Sequence, residues 1–512
     1  MRAIESAGRS DLSRRAFVQA GAGATLTAAT YRRVLGANDR VGLGFIGFGL
    51  IGKRHVLDFK AQADVDPVAV AEAHLGRLDE AKGVIGGQVR GHDDFRRVLD
   101  DRDVQAVVVS TPDHWHALMA MMACAAGKDV YVEKPLSLFV REGRWMVDVA
   151  RRNRSVVQVG TQQRSGPHYR RARDLIRDGH IGKVHSVRMW AFRNVMPGFG
   201  RPPDGEPPHE IDYEAWLGPA PGRPYNPNRS LYHFRWFWDY SGGQMTNLAQ
   251  HALDIVHWYL APEGPTAVSS SGGRFCLEDN GETPDTQDTL IEYPGWTATW
   301  SHREASRGTP PPHGLQFCGT KGTLSINRRG FAVDADPDAP PSSFVPTFAG
   351  HPVGGPDRKA TVGPPRPRTA SIVDRSGDEL DQFRRHARDF LDAVKSRREP
   401  ISDLEGGHRV ATVCHLANLS LRLGRKLRWD AAKEAIPGDV DANDRLERPY
   451  RAPWDGVPLL EGGGQGTCSG GCRNKHAGRG GRVCSQSRIA APAAAFPEGC
   501  GVLPGKRKGN VS

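Results

Sequence analysis

Short apolar runs alternate with longer stretches of helical periodicity through the first third of the chain. Val41–Ile46, Val68–Ala71, Val104–Val109, Asp129–Val132 and Val156–Val159 read as buried strands. The stretch to about Phe59, then Leu75–Lys82, His116–Ala126 and Arg141–Arg151, read as the helices between them; the third closes at Gly127, a natural C-terminal cap. Such alternation predicts a parallel sheet covered on both faces. Beyond Gly160 the period changes. Val184–Arg193 alternates like a half-buried strand, and Thr266–Phe275, Thr286–Tyr293, Thr297–His302 and Leu315–Ile326 read as antiparallel strands, the last turning at Gly319-Thr320-Lys321-Gly322. Met245–Leu260, Leu380–Lys395 and His408–Leu423 read as helices. Residues 194–240, rich in Pro, Gly and aromatics, and the Pro-rich residues 334–376 read as long loops. The fold class expected is α/β: an N-terminal Rossmann-type dinucleotide domain over 38–160, then an α+β domain over 161–458 with an open, mainly antiparallel sheet.

Composition changes this picture at the two ends. The 512 residues carry a net charge of +11, of which residues 1–40 hold +4, residues 459–512 hold +6 and the middle only +1. Basic residues gathered in tails do not build a phosphate-tracking groove, so no nucleic-acid partner is expected. Nor does any apolar run reach about 18 residues, so no membrane span is expected. Ser13-Arg14-Arg15-Ala16-Phe17-Val18, followed by a weakly apolar stretch to Ala29 without an acidic residue, has the form of a twin-arginine (Tat) signal. Residues 1–37 are therefore read as a signal segment. The protein is expected to leave the cytoplasm already folded through the Tat machinery, for the periplasm or another extracytoplasmic space. Residues 459–512 are Gly-rich and aperiodic, and are expected to be disordered. They hold Cys468, Cys472, Cys484 and Cys500; neither these nor the widely spaced Cys124, Cys276, Cys318 and Cys414 form a CxxC pair.

Gly47-x-Gly49-x-x-Gly52 gains meaning from its place between a strand and a helix. The first glycine permits the tight turn, the second lets backbone approach a pyrophosphate, and the third permits close helix packing. The helix N-terminus, with the backbone of Leu50 and Ile51, then faces the phosphates. Glu72, 20 residues past Gly52 at the end of the second strand, is placed to take the adenosine ribose hydroxyls. Its charge repels a 2′-phosphate and favours NAD; Lys53 and Arg54 keep NADP open. Glu133-Lys134-Pro135 and Ser110-Thr111-Pro112 also end strands, where ligands of such sheets bind. A desolvated Lys134 can exchange a proton with a hydroxyl. His114 and His116 are placed by position at the nicotinamide pocket. His-x-His lacks a third ligand at suitable spacing, so no metal is expected.

Together these segments resemble the glucose–fructose oxidoreductase / inositol dehydrogenase / rhizopine-catabolism (Gfo/Idh/MocA) family. The resemblance rests on Gly47–Gly52, Ser110-Thr111-Pro112-Asp113-His114-Trp115-His116, Glu133-Lys134-Pro135 and the helix Gly242–Asp254, and it spans roughly residues 40–455. It implies hydride transfer between a tightly bound NAD, or NADP, and a hydroxyl of a sugar, sugar derivative or polyol. It implies Lys134 and His251 as catalytic groups, with Asn247 standing where the family has Asp; an amide cannot act as a base, which leaves His251 as the base candidate. The cofactor set so implied is Gly47, Gly49, Leu50, Ile51, Gly52, Glu72, Thr111, Pro112, His116, Glu133 and Lys134. Arg164, Asp254 and Trp236 are the expected substrate contacts, Arg164 for a hydroxyl and Trp236 as a platform for a sugar ring. Self-association through the open sheet of the second domain is expected. Two other readings remain: a redox-neutral, NAD-dependent glycosidase of the same superfamily, whose members resemble Glu-Val-Pro where this chain has Glu-Lys-Pro, and a non-catalytic NAD- or sugar-binding protein, which Asn247 alone supports.

Overall fold

The computed structural model describes residues 40–308, 313–337, 347–348, 351–352 and 366–456. The Arg14-Arg15 signal, the four tail cysteines, the Gly-rich tail and much of the Pro-rich segment lie outside the described residues.

Six parallel strands, β1 (Val41–Ile46), β2 (Val65–Ala71), β3 (Arg90–His92), β4 (Ala106–Val109), β5 (Asp129–Val132) and β6 (Val157–Val159), form one sheet in the order β3-β2-β1-β4-β5-β6. The strand order reverses between β1 and β4, where dinucleotides bind in such sheets. Register sets what gathers there. Ile46 lies opposite Ala71 and Val109, and Val109 opposite Val132. The residues that follow, Gly47, Glu72, Ser110 and Glu133, therefore meet along one edge. All six positions of β1 are buried, as expected for a strand covered on both faces: Val41, Leu43, Phe45 and Ile46 supply the apolar side chains, and Gly42 and Gly44 admit neighbours at close range.

The second sheet has nine strands, ordered Ile372–Asp374, Gly330–Ala335, Gly322–Asn327, His313–Gly319, β7 (Val184–Phe192), Trp296–Arg303, Thr286–Tyr293, Ala267–Gly273 and Leu427–Arg428. It is mixed: β7 runs parallel to Trp296–Arg303 and antiparallel to His313–Gly319. Val187, Met189 and Ala191 of β7 bury one face against helices Pro167–Arg177, Gln250–Leu260 and Leu404–Leu423. Helix Glu379–Ser396 instead packs Ala387, Phe390, Leu391 and Ala393 into the core of the first sheet, beside Phe45, Phe59 and Tyr131. The boundary expected at residue 160 is thus crossed by a helix from late in the chain. Residues 205–240 form no long element, but Ile211, Trp216, Leu217, Phe234, Trp236, Phe237 and Tyr240 close a core of their own. Among the described residues no helix is long and apolar enough to cross a membrane.

Candidate active site

The three glycines have different neighbours. Gly47 has a φ of +90°, and a Cβ there would stand 2.8 Å from the Ser110 carbonyl. A Cβ on Gly52 would stand 2.3 Å from the Gly47 oxygen, so the helix packs directly on the turn. A Cβ on Gly49 would meet only the Arg77 guanidinium, at 3.9 Å: the space before it is open. Helix Leu50–Lys60 starts there with no side-chain cap and no acidic residue in its first turn, leaving its first N–H groups, Leu50 and Ile51 among them, for a ligand. A cavity of about 450 Å³ runs past Gly47, Gly49, Leu50, Ile51, Glu72, Thr111 and Pro112. The Ser110 and Thr111 hydroxyls are buried without a hydrogen-bond partner. An open cradle at Gly49, uncapped amides and orphaned hydroxyls fit a dinucleotide. Glu72 lines the cavity while accepting from Phe48 N–H at 2.6 Å and His74 N–H at 3.1 Å; each oxygen keeps a further lone pair for a ribose hydroxyl. The far wall, formed by Ile211, Trp216, Leu231, Tyr232, Phe234, Arg235 and Trp454, has no counterpart in the sequence-based expectation. This wall is tied to the turn after Glu72 by Leu75 N–H to Glu210 O, 2.7 Å, and Asp212 N–H to Ala73 O, 3.0 Å.

Lys134 follows β5. Its Nζ donates to both the main-chain oxygen and Oδ1 of Asn247, each at 2.9 Å. Burial, with a smaller push from Arg235 and Arg328 against the pull of Glu133 and Asp113, brings its pKa down to about 8. Asn247 sits in a π-helical turn, Met245–Ala249, that runs into helix Gln250–Leu260, and its amide donates to Gln244 Oε1 at 3.2 Å. Widened turns of this kind recur at functional sites. His251 follows one turn later. Burial, reinforced by the charges of Lys134 and Arg328, holds its pKa well below 6.5. Its Nδ1 is buried without a hydrogen-bond partner.

Glu133 and His116 do not face the cavity. Glu133 Oε1 meets His55 Nε2 at 2.6 Å, and Oε2 accepts from Lys134 N–H at 3.1 Å. Burial pushes the Glu133 carboxyl up, but His55, Lys134 and His116 outweigh it and hold it below its ordinary value. The two ring nitrogens of His116 lie 2.7 Å from Pro135 O and 2.9 Å from Thr111 O, clamping the β4 and β5 turns together. Both residues thus support the cleft from behind, a correction to their expected cofactor contacts. His114 is likewise displaced from the nicotinamide pocket: its Nε2 lies 3.0 Å from Trp216 O, and burial brings its pKa down to about 3.

The three expected substrate contacts are also corrected. Arg164 and Asp254 form a buried two-pronged ion pair, at 2.7 and 2.9 Å, so they satisfy each other. Trp236 is buried in the loop core, with the Arg193 guanidinium 5.0 Å above its ring. What His251 does line is a second cavity of about 490 Å³, walled by Trp190, Phe192, Trp300 and Leu315 and by the polar groups of Gln163, Tyr169 and Arg328. Of these polar groups only Gln163 lies just past the end of a parallel strand, the local signal for a ligand contact in such a sheet. Arg328 sits in a tight turn between two strands, where no local pattern signals a ligand. Among the described residues no group of His, Cys, Asp and Glu is arranged to hold a metal ion.

Residues 41–161 match the Gfo/Idh/MocA model described as an oxidoreductase family, NAD-binding Rossmann fold. Residues 184–271 and 369–456 match the companion model, an oxidoreductase-family C-terminal alpha/beta domain. Inositol 2-dehydrogenase of Rhizobium meliloti is 34% identical over 149 residues, 29% of this chain and 44% of that protein. Levoglucosan dehydrogenase of Pseudarthrobacter phenanthrenivorans is 33% identical over 185 residues, 32% of this chain and 47% of that protein. The chain thus spans somewhat under half the length of these relatives. In fold it resembles the solved structure of a levoglucosan dehydrogenase complexed with NADH and levoglucosan, at a TM-score of 0.57 and 20% identity, over 76% of this chain and 99% of that one. The two domain matches, falling in order on the two sheets, make this chain a member of the Gfo/Idh/MocA oxidoreductase family.

Proposed function

We propose that the protein is an NAD-dependent dehydrogenase of a sugar, sugar derivative or polyol, exported folded and self-associating through the face of the nine-stranded sheet that the helices leave open. The observation that carries the catalytic reading is Lys134. It is held by Asn247 one turn from His251, and it feels the charges of Arg235, which lines the first cavity, and of Arg328, which lines the second. The cofactor, when bound, supplies the hydride acceptor. Gly49, the amides of Leu50 and Ile51, Thr111 and Glu72 hold it. Lys134, with a pKa of about 8, has both protonation states within reach near neutrality and exchanges a proton with the reacting hydroxyl at Nζ. Neutral His251 offers a ring nitrogen to the same hydroxyl.

The test is reduction of NAD over a panel of polyols and sugars by the parent protein and by Lys134→Met. The variant should keep its NAD affinity and lose about 10²- to 10⁴-fold in rate. Equal rates in the two proteins would remove the lysine from the chemistry. Release of nitrophenol from a nitrophenyl glycoside without net reduced nicotinamide would favour the glycosidase reading instead. NAD binding with no turnover of either kind would favour the non-catalytic one.

A further inference from the structure

We propose that the substrate carries an anionic group, a carboxylate or a phosphate, and that Arg328 in the second cavity reads it. This rests on the dehydrogenase reading above and narrows its substrate class. The cavity beside His251 is lined by Arg193, Arg307 and Arg328 and, among the described residues, by no aspartate or glutamate. Three buried polar atoms face no partner there: Gln163 Oε1, Tyr169 Oη and His251 Nδ1. Apolar walls with a few unpaired polar atoms describe a site for a small polyhydroxylated molecule. The excess of positive charge describes something more. A neutral polyol needs no cationic lining, and low-dielectric walls concentrate the field of cationic side chains on whatever enters.

The three arginines are not equivalent. Arg193 is bound to the buried Glu304 and stacked on Trp236, so its charge is matched inside the protein. Arg328 pairs with Glu379 through Nη1 alone, and that carboxylate is half exposed to solvent. An exposed pair of this kind is weak, and a guanidinium has five donors, leaving most of Arg328 for a planar, two-pronged anion. Its backbone is preorganised. The Arg328 carbonyl accepts from Gln382 Nε2 at 3.3 Å, and the preceding Asn327 uses Oδ1 to hold Arg329 N–H at 2.8 Å and its carbonyl to meet His168 Nε2 at 3.1 Å. Arg328 lines the same cavity as His251, which stands one helical turn from the Asn247 that holds Lys134, and its positive charge is felt at Lys134, His251, Tyr169 and His313.

The experiment compares glucose with glucuronate and with glucose 6-phosphate, for the parent, Arg328→Gln and Arg328→Lys. Two readouts are taken: nicotinamide reduction, and equilibrium binding followed by the fluorescence of the cavity tryptophans. One of the two acids should exceed glucose by about 10- to 100-fold in kcat/KM and in affinity, the worth of a charged hydrogen bond. Which acid wins distinguishes a carboxylate from a phosphate. In Arg328→Gln the ratio of acid to neutral sugar should fall close to one, through KM far more than kcat, and Arg328→Lys should restore part of it. If Arg328 only ties its turn to the helix that begins at Glu379, Arg328→Gln will lower the melting temperature and leave the ratio untouched, which overturns the proposal. A parent that oxidises glucose as well as either acid also overturns it and leaves the dehydrogenase reading standing. Arg328-dependent acid binding without any reduction of NAD would do the reverse.

Discussion

Burial beside Arg235 and Arg328 brings the Lys134 ammonium down to about 8, and the same burial drives His251 far below 6.5. At neutral pH the lysine is therefore still mostly protonated and the imidazole uncharged. An unperturbed imidazole would give a rate rising across about pH 6–7.5; desolvation has moved that ionisation out of range. The ionisation left to observe is that of Lys134. Removing a proton from an alcohol requires the unprotonated amine, so single-turnover oxidation should rise with pH about a midpoint near 8, and the reverse reaction should fall through the same midpoint. Lys134→Met should lose this step, while His251→Gln should keep it at lower amplitude. Asn247→Asp would set a carboxylate against the ammonium, favour its charged form and move the midpoint upward. A parent profile flat from about pH 7 to about pH 9 would take the proton transfer away from Lys134.

The turn from β1 into helix Leu50–Lys60 separates two jobs that one motif performs. Gly49 faces open space and Gly52 faces the Gly47 carbonyl. Gly49→Val should accordingly fold with a melting temperature close to the parent's and lose NAD binding by about 10²-fold or more, because its branched side chain enters the phosphate cradle. Gly52→Val should instead push the helix off the turn and destabilise the fold by about 1–3 kcal/mol, as overpacking does. Thermal melts and NAD titrations of the two variants separate the effects. Full NAD affinity in a folded Gly49→Val protein would put the pyrophosphate elsewhere.

The cofactor cleft is completed only by the assembled chain. Its floor comes from the first sheet, its far wall from residues 211–235, and its rim from Trp454, which packs edge-on against Trp115 at 4.9 Å. Such a cleft exists only after both halves have folded, which suits the folded export proposed above. Replacing Arg14 and Arg15 together by Lys should therefore hold the protein in the cytoplasm, folded and with NAD bound, when cell fractions are probed for it. Unchanged export of the paired variant would show that these arginines are not the signal.

Several features were legible in the sequence because their cause is local. The five apolar runs, the spacing of Gly47, Gly49 and Gly52, and Lys134 at a strand end depend on neighbours within a few residues, and the parallel sheet follows from their alternation. The short edge strand Arg90–His92 was not legible, nor was helix Pro167–Arg177, whose four arginines mask a narrow apolar stripe of Tyr169, Ala172 and Ile176. Only tertiary packing decided the rest. Arg164 finds Asp254 across 90 residues, His114 finds the Trp216 carbonyl across 102, and helix Glu379–Ser396 returns to cover the first sheet. No pattern along the chain encodes which distant partner a polar group meets. Nor does it encode how completely water is excluded, and that exclusion is what brings Lys134 down to about 8 and His251 well below 6.5. Residue type and local period wrote the strands and the glycine turn; desolvation and long-range pairing, which exist only in the folded chain, turned some of the expected site residues into scaffold and brought Arg328 to the cavity beside His251.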